Sequence, residues 1–155
     1  MSGPERGRAH TAERFAFIVH ASPPEVLPLL GGDGERAWAP GWEPRFIWPQ
    51  PAADREGMVF QVDGPHGTAT WINTAFDATA GHVQYAYVLP QVVATLITLD
   101  LQARGADTEV AVRYERTSLA AASDEIVLAM AAQDRVAGPE WARQIAAHLR
   151  TRSPH

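Results

Sequence analysis

The sequence predicts an α+β fold, in which one curved antiparallel sheet of about seven strands wraps around a long C-terminal helix and two short helices follow the first strand. Strand-like segments succeed one another from Arg45 to Thr117 with only turn residues between them. Those gaps are too short for the crossover helices that parallel neighbours need, so the segments pair as hairpins. The stretch from Ser123 to Arg150 then shows apolar residues at helical spacing, and such a stripe needs a surface to cover.

The first strand is read at Glu13 to His20, where Phe15, Phe17 and Val19 alternate with Arg14, Ala16 and Ile18. Ser22-Pro23-Pro24-Glu25 then forms a capping box, with the Ser22 hydroxyl accepting the Glu25 amide and Pro23 at the first helical position. Pro28 and Gly31-Gly32 keep this helix to about two turns, and a second short segment runs from Glu35 to Ala39 before Pro40-Gly41. Six strands follow: Arg45 to Trp48, Met58 to Asp63, Thr68 to Phe76, His82 to Val88, Val92 to Arg104 and Thr108 to Thr117. They form a meander that the first strand joins. Alternation turns Val83, Tyr85 and Tyr87, then Thr95, Ile97, Leu99 and Leu101, then Val110, Val112 and Tyr114 toward the helix. Around Trp71 and Asn73 the phase is ambiguous. Ser123 is the expected N-cap of the closing helix, with Asp124 and Glu125 at the positive end of its dipole. Its stripe is Ile126, Met130, Ala137, Trp141, Ile145 and His148 or Leu149. Pro139 removes a hydrogen bond to the Arg135 carbonyl, which predicts a kink or break near Gly138, with two consecutive helices as the alternative.

Composition narrows the function classes. A chain of 155 residues, 46% hydrophobic and 20% charged, fits one domain over residues 1–155, with tails at 1–11 and 151–155. The N-terminal residues are polar and are read as neither signal peptide nor anchor. A net charge of -5, a pI near 5.6 and scattered arginines argue against a nucleic-acid partner. No apolar run approaches the roughly 20 residues of a membrane-spanning helix, so no membrane insertion is expected. The absence of cysteine excludes disulfides and thiolate chemistry and fits a cytoplasmic protein. All 13 basic residues are arginine, which removes lysine Schiff-base chemistry and, with the Ala, Gly and Pro abundance, suggests a bacterial source. The six histidines are dispersed, and no HExxH, G-x-S-x-G or G-x-G-x-x-G motif occurs, so neither metal nor cofactor is expected.

The order of elements resembles the START-like superfamily, also called SRPBCC, whose members share the helix-grip fold. Two segments carry the resemblance locally. Phe17 to Leu30, FIVHASPPEVLPLL, is similar to the family's first strand running into an Ala-Ser-Pro-x-x-Val helix start. Trp38-Ala39-Pro40-Gly41-Trp42-Glu43-Pro44 resembles bacterial members of the polyketide cyclase or dehydrase-like branch. The Gly138-Pro139 step departs from the family's unbroken helix. The resemblance implies a cavity between sheet and helix. It leaves three functions open: a carrier or binding module for an apolar or aromatic metabolite, a metal-free cyclase or dehydratase-type enzyme, and a co-chaperone or regulatory interaction domain. The carrier reading ranks first, and the protein is expected to be a monomer or homodimer.

The residues expected to meet a hydrophobic small molecule are Tyr85, Tyr87, Thr95, Ile97, Leu99, Val112, Tyr114, Met130, Asp134 and Trp141, around a pocket on the order of several hundred cubic ångström. The tyrosines can donate to a ligand carbonyl or serve packing alone. Asp134 is the one catalytic candidate. It falls on the apolar stripe, where a carboxylate must find a partner or rise in pKa, and it acts as a ligand anchor or general base unless it faces solvent near the kink. His66, in the tight turn Gly64-Pro65-His66-Gly67, either rims the pocket or is simply solvated.

Overall fold

Short turns and strand alternation produce one seven-stranded antiparallel sheet in the computed structural model, which describes residues 7–152. β1 (His10–Val19) runs into α1 (Pro23–Val26) and two 3-10 turns, Leu27–Leu30 and Gly34–Ala37. The meander follows as β2 (Arg45–Trp48), β3 (Val59–Gly64), β4 (Gly67–Asp77), β5 (His82–Leu89), β6 (Val93–Arg104) and β7 (Asp107–Ser118). A 3-10 turn at Ala121–Ser123 leads to α2 (Asp124–Arg135) and α3 (Gly138–Arg152). The strand order β1-β7-β6-β5-β4-β3-β2 places the first strand beside the last.

Because side chains alternate with a period of two, the pairing register lines up inward residues in rows across the strands. One row is Phe60, Trp71, Tyr87, Thr95 and Arg116, and the next is Asn73, Tyr85, Ile97 and Tyr114. A bulge between Asn73 and Ala75 shifts the register of β4, which is why alternation alone left that strand's phase unresolved. Trp71 and Asn73 both point inward. Both closing helices pack against β1, and α2 also against β7. Met58, Phe60, Val83, Val110 and Ile145 are completely buried, each contributing roughly 1.5 to 3 kcal/mol of apolar transfer free energy. A smaller core joins Val127 of α2 to Leu89, Val92 and Val93. The outer face is not uniformly polar: Trp48, Val59 and Ile72 form a row near the β2 edge, with Trp48 and Ile72 exposed. Among the described residues no helix is long and apolar enough to cross a membrane.

Several local expectations are resolved or changed. The closing helix breaks next to Gly138, one of the outcomes that Pro139 predicts: α2 ends at Arg135 and α3 starts at Gly138, with Val136 and Ala137 between. Pro139 cannot donate to Arg135, so it falls in the first turn of a new helix instead. In α2 the buried stripe is Val127, Ala131 and Asp134, one position beyond the predicted Ile126 and Met130, which are half-buried against the smaller core. Ser22 and Ser123 take the N-cap positions predicted for them, but neither hydroxyl bonds a helix amide. Ser22 donates its hydroxyl to the Glu25 carboxylate at 3.2 Å, and Ser123 donates to the Gln91 carbonyl at 2.8 Å, tying α2 to the β5–β6 turn. Of the predicted tails, residues 1–6 and 153–155 lie outside the described residues, while His10 and Thr11 belong to β1 and Thr151 and Arg152 to α3. The Ala9 amide donates to Asp124 at 3.1 Å, which holds the entry to β1 against α2.

Candidate functional site

Between the sheet, the Gly34–Ala37 turn with the residues after it, and α3 lies a cavity of about 600 Å³. Its wall is aromatic: Trp38 and Trp42 from the segment after the turn, Trp71 from β4, Tyr85 from β5, Tyr114 from β7 and Trp141 from α3. Ile97 and Leu99 of β6 complete the sheet side, and Val136, Ala137, Glu140 and Gln144 complete the helix side.

The aromatic groups are fixed in place. Trp38 and Trp42 donate their indole N–H groups to the Leu29 and Gly32 carbonyls, each at 2.7 Å, so both rings are anchored to the backbone that precedes them. Trp71 stacks on Tyr87 with centroids 4.4 Å apart and planes at 16°, while Trp42 meets it edge-on at 5.3 Å. Trp141, half-buried, packs against Phe15 at 5.3 Å and Trp38 at 5.5 Å. The Tyr85 hydroxyl donates to the Leu30 carbonyl at 3.0 Å, whereas the Tyr114 hydroxyl has no hydrogen-bond partner among the described residues. Rings held this way lose little entropy when a ligand arrives.

Two acidic groups that no pattern pointed to lie on this wall, Glu35 and Glu140, and Glu140 is paired with Arg143. Asp54 accepts the Asp33 and Gly34 amides at 2.9 and 3.0 Å, which fixes the turn and sets Glu35 toward the cavity. Among the described residues the Glu35 carboxyl has neither a hydrogen-bond nor an ion-pair partner. Burial first, and then the Asp54 charge, push its pKa from the ordinary 4.5 up to about 8. The Tyr85 and Tyr114 phenols are also pushed up, by burial above all and next by the Glu35 charge.

A second polar cluster lies on the same face of the sheet. Arg116 of β7 makes a two-pronged ion pair with Asp134 of α2, Nε to Oδ2 at 2.7 Å and Nη2 to Oδ1 at 2.8 Å. Its Nη1 donates to the Tyr87 hydroxyl at 2.6 Å and the Thr95 hydroxyl at 3.2 Å, and approaches the Met130 sulfur at 3.7 Å. The guanidinium also lies over the Tyr114 ring, 4.7 Å from its centre. Burial disfavours the Arg116 charge, but the bonds to Asp134 outweigh it and hold the guanidinium protonated.

The predicted site residues therefore divide. Tyr85, Ile97, Leu99, Tyr114 and Trp141 line the cavity. Tyr87, Thr95, Met130 and Asp134 gather around Arg116 instead, because the inward-facing arginine of the last strand draws polar groups to itself. Val112 is packed in the core without reaching the cavity. Asp134 is buried, as its place on the stripe requires, and both its oxygens are taken by Arg116, which leaves no lone carboxylate to act as a base. His66 is exposed at the rim of a separate shallow depression that Trp71, Tyr87 and Met130 also touch. Trp38 and Trp42 stood in the sequence as family echoes, yet both line the cavity. Glu35 had no signal, since a 3-10 turn presents no periodic face.

This architecture is the helix-grip fold. Solved structures of the same fold include norcoclaurine synthase from Thalictrum flavum, at TM-score 0.67 and 13% identity, covering 99% of this chain and 97% of that one. An uncharacterised protein from Bacillus thuringiensis aligns at TM-score 0.63 and 19% identity over 90% of this chain and 99% of its own. Ara h 8.0201 aligns at TM-score 0.65 and 11% identity over 92% and 99%. No family model matches the sequence, and no curated protein matches it significantly.

Proposed function

We propose that the protein binds an apolar or aromatic small molecule in the cavity between the sheet and α3. The single observation that carries this is a cavity of about 600 Å³ walled by four indoles and two phenols, a volume within the usual range of small-molecule sites. Aromatic faces of that area left open to water are unfavourable unless something covers them. In keeping with the reading, the norcoclaurine synthase of this fold was solved in complex with dopamine and hydroxybenzaldehyde, both aromatic small molecules. Titration with the neutral fluorophore N-phenyl-1-naphthylamine tests it. The expected result is a saturable one-site signal that Ala137→Trp, which fills the cavity beside α3, abolishes; a linear, unsaturable response contradicts it.

A second reading, a cyclase or dehydratase-type enzyme, is favoured by Glu35. A cavity carboxyl with a pKa of about 8 can give or take a proton near neutral pH, and the unbonded Tyr114 hydroxyl could hold a substrate oxygen. Glu35→Gln would then abolish turnover while N-phenyl-1-naphthylamine still binds; a variant with full turnover removes the reading.

A further inference from the structure

We infer that the cavity selects a ligand bearing an ammonium group, seated against the indoles of Trp38, Trp42, Trp71 and Trp141 with Glu35 as its counter-ion. This assignment rests on the cavity being the ligand site and specifies the charge of what enters it.

The wall chemistry has one sign. The two ionisable carboxyls on it are Glu35 and Glu140, while no arginine lines it and the chain has no lysine. Cations close by are already engaged: Arg36 pairs with Asp33 and lies over the Phe46 ring at 5.2 Å, Arg143 pairs with Glu140, and Arg116 is held by Asp134. An anionic ligand would therefore meet carboxyls and no counter-charge. A neutral aromatic ligand would use the rings and leave Glu35 unsatisfied, at the cost of a desolvated polar group. An ammonium group uses both, because indole faces attract cations and do so more strongly when water is excluded. Tyr114 adds a further ring, although Arg116 already occupies one of its faces.

The charge state follows from what surrounds Glu35. Facing it are Asp54 from the segment before β3, Tyr85 from β5, Tyr114 from β7 and Glu140 from α3, with Asp33 and Arg36 on its own turn and the Arg116–Asp134 pair behind Tyr114. None supplies an unpaired positive charge. The empty site therefore keeps Glu35 protonated up to a pH of about 8. A bound cation favours the carboxylate, so binding below that pH releases a proton. The affinity for a permanently charged ligand accordingly rises with pH and levels off above about 8.

A matched pair of probes tests the assignment: phenyltrimethylammonium, and tert-butylbenzene as its neutral isostere. Binding is read from tryptophan emission in a Trp48→Phe background, which leaves the four cavity indoles out of the chain's five tryptophans. At pH 9 phenyltrimethylammonium is expected to bind at least tenfold more tightly than tert-butylbenzene, with the advantage shrinking toward pH 6. Glu35→Gln is expected to remove the advantage and its pH dependence while leaving tert-butylbenzene affinity within twofold, which also shows that the variant keeps an intact cavity. Tight tert-butylbenzene binding with no preference for the cation, or a preference that survives in Glu35→Gln, overturns the assignment and leaves the cavity as a neutral-ligand site. Failure of both probes to bind overturns the assignment together with the proposed function.

Discussion

Two carboxylates point into the same face of this sheet, and their fates are opposite. Asp134 reaches Arg116, which satisfies both its oxygens, and with Tyr87, Thr95 and Met130 the pair fills the space between α2 and β7. Glu35 reaches a wall of rings and finds no partner among the described residues, and its pKa climbs to about 8. A buried acid that is fully paired stabilises one packing of the chain. A half-buried acid left alone beside an open volume lowers stability, and such groups cluster at sites where something else completes them.

Breaking the paired side should have the largest effect. Asp134→Asn leaves Arg116 buried without its counter-charge, and the expected loss is about 3 to 5 kcal/mol in denaturant unfolding. A loss under about 1 kcal/mol would mean that the pair is solvated and contributes little to the helix-to-sheet packing. Next comes Trp141→Ala, which removes a half-buried ring packed on Phe15 and Trp38. It should cost about 2 to 3 kcal/mol, less than a fully buried tryptophan, and weaken N-phenyl-1-naphthylamine binding in the same variant.

Glu35 sharpens the comparison through pH. Its folded pKa of about 8 lies above the ordinary 4.5, so the folded state holds the extra proton between those values. Stability therefore falls as pH rises through that window, and Glu35→Gln removes the dependence. The variant should be more stable than the parent to denaturant at pH 9, by about 1 to 3 kcal/mol after allowance for partial exposure of the group, and nearly level with it at pH 5. Equal stability at both pH values would place an ordinary solvated glutamate there. The smallest effect belongs to His66→Ala in the exposed β3–β4 turn, expected within about 0.5 kcal/mol and without influence on probe binding.

The sheet was legible in the sequence because each strand announces itself twice, once in alternation and once in the turn after it. Arg45–Trp48 coincides with its predicted span, and the inward sets in β5, β6 and β7 face the interior as alternation required. Helix phase was less legible. Val127, Ala131 and Asp134 are flanked by Ile126, Leu128 and Met130, so more than one apolar stripe fits α2, and the contact with Leu89 and Val93 decides between them. The site was half legible. Residues on regular strands, such as Tyr85, Ile97 and Tyr114, could be aimed by periodicity. Trp38, Trp42 and Glu35 lie in a non-repetitive segment whose direction is set by tertiary bonds from Asp54, Leu29 and Gly32, and no local spacing encodes those. Arg116 was missed for a related reason: alternation put it inward, but a charged residue there reads as an exception until Asp134 is seen opposite.

The most direct test of the unpaired cavity acid is a carbon-detected NMR titration of the Glu35 carboxyl, with and without saturating phenyltrimethylammonium. The expected midpoint is about 8 in the free protein, moving downward when the cation is bound. A midpoint at the ordinary glutamate value of 4.5, unmoved by the probe, would contradict the account.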